Sequence, residues 1–312
     1  MGRIQLGARA KFVQSPPAMR FPGTYTALIT PFRSGAIDVP AFQSLIERQI
    51  AAGIDGIVPV GTTGESPTLN TDEHIDVIRL AVEFAAGRCQ VIAGTGANAT
   101  AEAIELTQAA EALGATASLQ VCPYYNKPSQ EGLYLHFKAI ADETNLPIML
   151  YSVPGRAVVE IAPETAARLA AACPNITAIK EAGGSVDRIN QLVQALPAGF
   201  GILCGDDPLL LPFVSCGATG LVSVAANLIP DEIVNLVNTA LSGNFYEALV
   251  LQKKFYPLMR GLMSLDVNPV PIKTAVALQG HCTSELRLPL APLSEENTAK
   301  LTALLKSYQL LA

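Results

Sequence analysis

Short apolar segments recur along this chain about every 20 to 35 residues, and a stretch with the periodicity of an amphipathic helix follows each of them. Eight such segments lie near Tyr25, Ile54, Val91, Ala117, Ile148, Ile176, Ile202 and Leu221. Strands that alternate with helices pair in parallel, because each helix returns the chain to the same end of the sheet. The pattern therefore predicts an α/β fold, a parallel (β/α)8 TIM barrel.

Local signals at the predicted helix ends agree with this division. Asn70 and Glu73 have the spacing of a capping box, and Asp207 before Pro208 is typical of a helix cap followed by proline in the first turn. Glycines stand where helices are expected to end, at Gly53, Gly87 and Gly114.

An open, doubly wound sheet would use the same alternation of strands and helices. Its dinucleotide-binding form carries Gly-x-Gly-x-x-Gly after the first strand. No such pattern follows the first strand here, and the segment 94–97 (GTGA) lacks the rest of it. We therefore favour the barrel.

The chain divides into three parts. Residues 22–243 are predicted to form the barrel, and helical periodicity alone continues through 244–312, which predicts a C-terminal helical domain. Residues 1–21 are basic and lack the apolar centre of a signal peptide. We interpret them as a disordered or misannotated extension rather than a plastid transit peptide, and expect a cytoplasmic protein.

Composition narrows the class of partner. The 312 residues are 50% hydrophobic and 15% charged, with a net charge of −6 and a pI near 5.2. Because lysines and arginines are scattered, neither nucleic acid nor an anionic membrane is an expected partner. Polar residues or prolines interrupt every apolar run before the ~18 residues that a membrane span needs. The expected substrate is a small molecule.

Neither cysteines nor histidines show metal-ligand spacing. The six cysteines contain no Cys-x-x-Cys pair and are expected to be reduced thiols: Cys89, Cys122, Cys173, Cys204, Cys216 and Cys282. His74, His136 and His281 lie far apart in the sequence. No metal site is predicted.

Tyr151 and Lys180 each close an apolar segment, with a predicted helix over 163–173 between them. In neighbouring parallel strands both side chains would emerge at the carboxyl-terminal edge, about 5 Å apart from strand to strand. A partly desolvated lysine amine can attack a carbonyl carbon, and a phenol beside it can transfer protons. A solvated strand-end lysine is the alternative.

Three further features belong at the same edge if the barrel is correct. The glycine-flanked turn 61–66 (GTTGES) offers free backbone N–H groups to a small anion, although it could be a structural turn alone. Tyr124 and Tyr125 follow the fourth strand and, in an extended segment, would point in opposite directions, one of them toward a pocket or a partner. Arg156 could bind a carboxylate through two hydrogen bonds, or be a solvated surface residue.

Asp206 and Asp207 end the seventh strand and raise two other hypotheses, a metal site or a glycosidase pair. Capping accounts for Asp207, and adjacent residues rarely oppose each other as paired carboxylates. Two acids here also argue against the phosphate site that many barrels place near strands seven and eight. We therefore expect a carboxylated substrate.

From about residue 23 to the C-terminus the chain resembles the pyruvate-dependent class I aldolases of the dihydrodipicolinate synthase and N-acetylneuraminate lyase family. The segments that carry the resemblance are 61–66 (GTTGES), 93–98 (AGTGAN), 123–126 (PYYN), 151–156 (YSVPGR), 179–181 (IKE) and 268–273 (NPVPIK). It implies that Lys180 forms a Schiff base with pyruvate, without a cofactor. The enamine would attack aspartate semialdehyde and lead to a hydroxy-tetrahydrodipicolinate, on the route to lysine through diaminopimelate.

The resemblance also implies roles for other residues. Tyr151, Thr62 and Tyr125 would relay protons, with Tyr125 reaching across a tight dimer interface. The backbone of Thr62 and Thr63 would hold the pyruvate carboxylate. Further substrate contacts are implied at Arg156, for the aldehyde's carboxylate, and at Gly205 and Val222. A homotetramer, formed as a dimer of dimers, is implied as well.

An allosteric lysine site is implied at the tight interface, formed by Ser66, Pro67, His74, Asn98, Glu102 and Tyr124. Thr71 and Pro67 depart from the residues usual in lysine-sensitive members, so weak inhibition is expected. In the segment 151–157, Ser152, Gly155 and Ala157 replace the usual asparagine, serine and threonine.

Two alternative functions remain open from the sequence. A sibling aldolase or lyase would act on sugar acids or hydroxy-oxo acids, and Tyr125, Arg156 and the segment 268–273 favour the synthase over it. A barrel that only binds ligands or has a structural role would not need Lys180 and Tyr151.

Overall fold

The computed structural model describes residues 21–311. The predicted N-terminal extension, 1–21, lies outside this range except for its last residue, Phe21. Phe21 itself is buried and packs edge-on against Tyr25, with ring centroids 6.2 Å apart. The packed part of the chain thus includes Phe21.

Eight parallel strands close into a barrel, which confirms the predicted fold class. They are β1 (Gly23–Ala27), β2 (Gly56–Val58), β3 (Gln90–Gly94), β4 (Ala117–Val121), β5 (Ile148–Ser152), β6 (Ile176–Glu181), β7 (Gly201–Cys204) and β8 (Gly220–Ser223). Each strand pairs with its neighbours in chain order, and β8 pairs with β1. In a ring of eight, β2 and β6 lie on opposite sides, so the loops that follow them face each other across the mouth.

Within residues 21–311, twelve α-helices accompany the strands. They are α1 (Val39–Ala51), α2 (Thr71–Ala85), α3 (Thr100–Ala112), α4 (Gln130–Asp142), α5 (Pro154–Ala157), α6 (Pro163–Ala172), α7 (Val186–Ala195), α8 (Leu210–Ser215), α9 (Pro230–Leu241), α10 (Phe245–Ser264), α11 (Val270–Leu278) and α12 (Glu295–Ser307). Three 3₁₀ turns occupy Ser66–Thr68, Asp207–Leu209 and Ala225–Asn227, and Phe32–Arg33 pairs with Ala36–Ile37 in a small antiparallel hairpin. The last three α-helices follow the barrel and pack on one another, and α10 also packs on α9.

Local boundary signals are confirmed at most of the predicted helix ends. Asn70 and Glu73 form a reciprocal capping box at the start of α2. Gly53, Gly87 and Gly114 follow α1, α2 and α3 in the left-handed region that glycine favours. Each of these helices therefore ends where its glycine predicts.

Asp207 does not cap a helix, contrary to the prediction. It is the first residue of the 3₁₀ turn, and its carboxylate accepts hydrogen bonds from Ser223 Oγ and from the amides of Val224 and Ala225. These partners lie at the end of β8, whereas Asp207 follows β7. The fully buried carboxylate therefore joins the ends of two adjacent strands and accepts no hydrogen bond from the amides of its own turn. Only tertiary structure provides this arrangement.

Candidate active site at the barrel mouth

Tyr151 and Lys180 are direct partners in the register of β5 and β6. The Lys180 Nζ atom lies 4.1 Å from the centroid of the Tyr151 ring, and both side chains are less than 10% exposed. An ammonium group over the face of an aromatic ring is attracted by the negative charge density of that face. The predicted pairing of the two residues is thus present in the barrel.

Gly205 provides the space that the Lys180 side chain occupies. A Cβ atom added at Gly205 would lie 3.0 Å from Lys180 Cε and 2.8 Å from the Cβ of Ala182. Both distances are too short for a side chain to be accommodated without displacing its neighbours. Glycine at this position therefore allows the lysine to extend into the mouth.

The turn after β2 presents two uncommitted backbone amides. The amides of Gly64, Glu65 and Ser66 donate to Gly61 or Thr62 carbonyls within the turn. Among residues 21–311, no acceptor is bonded to the amides of Thr62 and Thr63. Adjacent free N–H groups form a small concave donor site that suits a carboxylate.

Asn268 connects this turn to Arg156. Its Nδ2 donates to Thr63 Oγ1 over 3.0 Å, and its backbone carbonyl accepts from Arg156 Nη2 over 3.1 Å. Asn268 follows α10, so a residue from outside the barrel positions two groups that the sequence predicts to bind carboxylates.

Glu65, the next side chain of the turn, is held by the C-terminal helices. It is fully buried and pairs with Lys273 of α11, which is fully buried as well. The Arg287 amide donates to Glu65 Oε2 over 3.2 Å, and the Arg287 guanidinium pairs with Glu73 at the start of α2. Because buried charges require such partners, the turn depends on the C-terminal segment for its conformation.

Two adjoining cavities open at this face. The larger, of about 380 Å³, is lined by residues that include Thr62, Thr63, Tyr151, Arg156, Lys180, Gly205 and Asn268. Val222 is buried in β8, and it is Val224 that contributes to the wall of this cavity. The volume lies in the range of small-molecule sites, and the lining brings together most of the predicted substrate-binding residues.

Tyr125 is not brought into this site within one chain. Its side chain is 90% exposed and lines neither of the two cavities. Its φ angle of 73° places it in the left-handed region, so the tyrosine pair is not in the extended segment that the sequence suggested. Tyr124, less exposed, contributes to the smaller cavity.

The residues of the predicted lysine site only partly line a common cavity. Ser66, Pro67 and Tyr124 line the smaller cavity, of about 220 Å³. Asn98 Nδ2 donates to the Tyr124 carbonyl, and the buried His74 ring bonds the Gly94 carbonyl through Nε2.

Titration behaviour separates two of these residues. Burial and, to a smaller extent, the negative charge of the exposed Glu102 raise the pKa of Tyr124. Burial lowers the pKa of His74, although its bond to the Gly94 carbonyl opposes this shift. Through its bond to the Gly94 carbonyl, His74 supports the end of β3, which forms part of the wall of the smaller cavity.

Asn268 and Lys273 belong to the segment 268–273 that carries the family resemblance, but sequence reasoning assigned no individual role to them or to Arg287. One signal was available for Lys273, because a single lysine stands within the otherwise apolar α11 (VPIKTAVAL). A lysine on a buried helix needs an acidic partner. Which carboxylate it meets is decided only when the chain folds.

Residues 21–311 contain no group of three or more His, Cys, Asp or Glu arranged to hold a metal ion. Within the same part of the chain, none of the helices has the length and apolar character needed to cross a membrane.

A lysine and a tyrosine at the carboxyl ends of adjacent barrel strands, opposite a turn with two free amides, are the arrangement of an enzyme of the class I aldolase type. The model of the dihydrodipicolinate synthetase family matches residues 20–308. This chain belongs to that family.

Individual relatives agree over nearly the whole chain. The 4-hydroxy-tetrahydrodipicolinate synthase of Citrifermentans bemidjiense is 50% identical over 291 residues, covering 93% of this chain and all of the relative. The synthase structure from Methylacidiphilum fumariolicum SolV is 54% identical with a TM-score of 0.90, covering 94% of this chain and all of that one. The Aquifex aeolicus dihydrodipicolinate synthase structure is 48% identical with a TM-score of 0.92, covering 93% and 99%.

Two other similar structures contain ligands. The Acinetobacter baumannii enzyme in complex with pyruvate is 42% identical to this chain, and the Cyanidioschyzon merolae enzyme with lysine bound is 39% identical. Each has a TM-score of 0.90 and covers 93% of this chain and 99% of its own.

Proposed function

We propose that this enzyme condenses pyruvate with L-aspartate 4-semialdehyde to 4-hydroxy-tetrahydrodipicolinate, a step of lysine biosynthesis through diaminopimelate. The observation that carries the proposal is the buried pair of Lys180 and Tyr151, which lies across the mouth from the free amides of Thr62 and Thr63. The names of its relatives support the same reaction.

The first step uses both sides of the mouth. The Thr62 and Thr63 amides hold the pyruvate carboxylate, and the neutral amine of Lys180 attacks the adjacent ketone carbon. The former carbonyl oxygen takes one proton from the attacking amine and one from the Tyr151 hydroxyl, and it leaves as water when the C=N bond of the protonated imine forms. Such proton transfer from a positioned phenol contributes about 10²–10⁴-fold to a rate.

The second substrate reacts with the enamine. Loss of a proton from the pyruvate methyl group gives an enamine, whose carbon attacks the aldehyde carbon while Arg156 holds the carboxylate of that substrate. The aldehyde oxygen takes up a proton and becomes the ring hydroxyl. The ammonium group of the second substrate then loses a proton to solvent, the resulting amine attacks the imine carbon, and the Lys180 amine leaves as the ring closes. One water is released overall, and the lysine amine serves in place of an added cofactor.

Borohydride reduction tests the imine. Incubation with pyruvate and borohydride, followed by peptide mass mapping, should place a single reduced adduct on Lys180. Lys180→Arg should give no adduct while retaining the fold. If folded and active wild-type protein gave no adduct on Lys180, the imine mechanism would be wrong.

A comparison of aldehydes tests the second substrate. In a coupled assay with pyruvate, kcat/KM for aspartate semialdehyde should exceed that for sugar-derived aldehydes by at least about 100-fold. The reason is that aspartate semialdehyde carries an ammonium group and a carboxylate on its α-carbon, and a sugar has neither charge. Equal or better turnover of the sugars would assign the chain to a sibling activity.

A second copy of the chain is proposed to supply Tyr125 to the proton relay. In support, Tyr125 is almost fully exposed and lies outside the cavities of its own chain. Homo-oligomers of Lys180→Ala and of Tyr125→Phe should both be nearly inactive, whereas hybrids of the two should recover activity. In the hybrid, an intact Lys180 site receives Tyr125 from its neighbour. Inactive hybrids of confirmed composition would place Tyr125 in its own chain's site or outside the reaction.

Lysine binding at the smaller cavity is also proposed, supported by the lysine-bound relative and by the exposed carboxylate of Glu102 near Tyr124. Calorimetry with lysine should show weak binding, and Glu102→Gln should lower the affinity further because it removes the partner of the ligand's ammonium group. Unchanged affinity in Glu102→Gln would contradict this assignment.

A further inference from the structure

Asp206 lies beside the proposed imine and has no role in the steps above. It follows Gly205, which leaves the space that the Lys180 side chain occupies, and it lines the larger cavity together with Lys180 and Arg156. Its backbone is fixed, since its carbonyl accepts hydrogen bonds from the Leu209 amide and the Cys204 thiol. The structure thus holds this residue in a defined place in the cavity wall.

The carboxylate of Asp206 is uncommitted. It takes part in none of the hydrogen bonds and ion pairs formed among residues 21–311, whereas its neighbour Asp207 accepts three hydrogen bonds. Burial raises the pKa of Asp206, and the positive charge of Arg260 opposes that shift. A carboxylate that has lost water without gaining a partner is unfavourable, and a cation in the cavity would offset this cost.

We propose that Asp206 binds the ammonium group of the aldehyde substrate while Arg156 binds its carboxylate. This inference rests on the proposed function. Both groups of that substrate are bonded to one carbon and carry opposite charges, and the cavity wall offers a carboxylate and a guanidinium to match them. The aldehyde carbon is two bonds from the charged carbon and would extend toward the enamine on Lys180.

Two consequences follow for the reaction. The nitrogen that closes the ring is held on the β7 side of the cavity, next to the lysine that it must replace at the imine carbon. Aldehydes with a hydroxyl group in place of the ammonium leave the partly buried Asp206 carboxylate without a cationic partner, so the enzyme selects against sugar-derived substrates.

Kinetics with two aldehydes test the role of Asp206. Succinic semialdehyde has the aldehyde and carboxylate of aspartate semialdehyde but no ammonium group. In Asp206→Asn, KM for aspartate semialdehyde should rise about 10- to 100-fold, which is the effect of losing a hydrogen-bonded charge pair. The inhibition constant of succinic semialdehyde should stay within about threefold.

Three controls separate this role from others. Asp266→Asn removes the same charge from an exposed position in the loop before Asn268 and should leave both constants unchanged. Asp206→Glu retains the charge and should keep more of the discrimination than Asp206→Asn. KM for pyruvate and the borohydride adduct on Lys180 should not change in any of these variants.

An equal change for both aldehydes in Asp206→Asn, or no change for either, would overturn the proposal. The wild-type adduct and wild-type turnover report on the proposed function, whereas the discrimination between the aldehydes reports on Asp206. A failure of the proposed function is therefore distinguishable from a failure of the role proposed for Asp206.

Discussion

Each side of the barrel mouth contains a buried glutamate, one next to Lys180 and the other in the turn opposite. The two glutamates are paired in different ways. Glu181 follows Lys180 and pairs with Arg188 over 2.7 Å, seven residues further along the same β/α unit. Glu65 belongs to the turn with the free Thr62 and Thr63 amides and pairs with Lys273, which lies 208 residues away in a C-terminal helix.

This difference indicates how each side is positioned. On the imine side, strand register alone sets Tyr151 beside Lys180, and the supporting charge pair is local. On the carboxylate side, the turn depends on side chains from beyond the barrel. Damage to the C-terminal segment should therefore weaken substrate binding while leaving the lysine amine in place.

The largest effect is expected on the imine side, from Tyr151→Phe. Loss of the hydroxyl removes the proton donor to the leaving oxygen, so kcat should fall about 10²–10⁴-fold, with little change in the free energy of unfolding. Steady-state kinetics and thermal unfolding measure the two quantities.

Tyr25→Phe is the matched control. Tyr25 is also a buried barrel tyrosine, and its hydroxyl donates to Gln90 Oε1 away from the mouth. Tyr25→Phe should keep kcat within about threefold of the wild-type value, because a general acid or base must contact the reacting group to affect the rate. A comparable loss of kcat in the two variants would mean that Tyr151 acts through packing.

On the carboxylate side, Lys273→Met should lower the free energy of unfolding by about 3–5 kcal/mol, because Glu65 would be left as an unpaired buried charge. KM for pyruvate should rise as well, since Glu65 belongs to the turn that presents the Thr62 and Thr63 amides. Denaturant unfolding and steady-state kinetics measure these effects.

The double variant Glu65→Gln/Lys273→Met leaves no charge unpaired and should recover part of the stability. Arg188→Met should lose a similar free energy but keep the wild-type KM for pyruvate, because the Glu181 pair supports the other side. If the Lys273 and Arg188 variants had the same KM, the contrast between the two sides would not hold.

A smaller effect is expected from Asn268→Ala. This change removes the hydrogen bond to Thr63 Oγ1 but keeps the backbone carbonyl that binds Arg156. KM for pyruvate should rise about tenfold, the effect of one lost hydrogen bond, while borohydride still traps the adduct on Lys180. Asp266→Ala in the same loop should behave as wild type, and an unchanged KM in Asn268→Ala would show that Thr63 keeps its position without this bond.

The sequence predicted the features that depend on local periodicity, including the eight strands and the adjacency of Tyr151 and Lys180. Once strand order is known, even the position of the turn opposite Lys180 follows. The partners of Asp207 and Glu65 were not predictable, because a side-chain pair between distant segments depends on how helices dock. Tyr125 was placed in an extended segment, since a left-handed tyrosine has no signal in residue type.

The smallest effect is expected at Ser152, one of the positions that departs from the family pattern. Its Oγ is buried and has no hydrogen-bond partner among the described residues. Because alternate residues of a strand face opposite sides, Ser152 points away from the cavity that Tyr151 faces. Ser152→Ala should therefore change the free energy of unfolding by no more than about 1 kcal/mol, toward higher stability, and leave kcat unchanged.

Ser118→Ala on β4 is the matched comparison, since that buried hydroxyl bonds Thr95 Oγ1 and Gln120 Nε2. It should cost about 1–3 kcal/mol because two hydrogen bonds of a buried network are lost. Equal losses in both serine variants, measured by denaturant unfolding, would mean that Ser152 has a partner that stabilises β5. The imine side would then depend on an outward side chain as well as on strand register, and the contrast with the carboxylate side would be weaker.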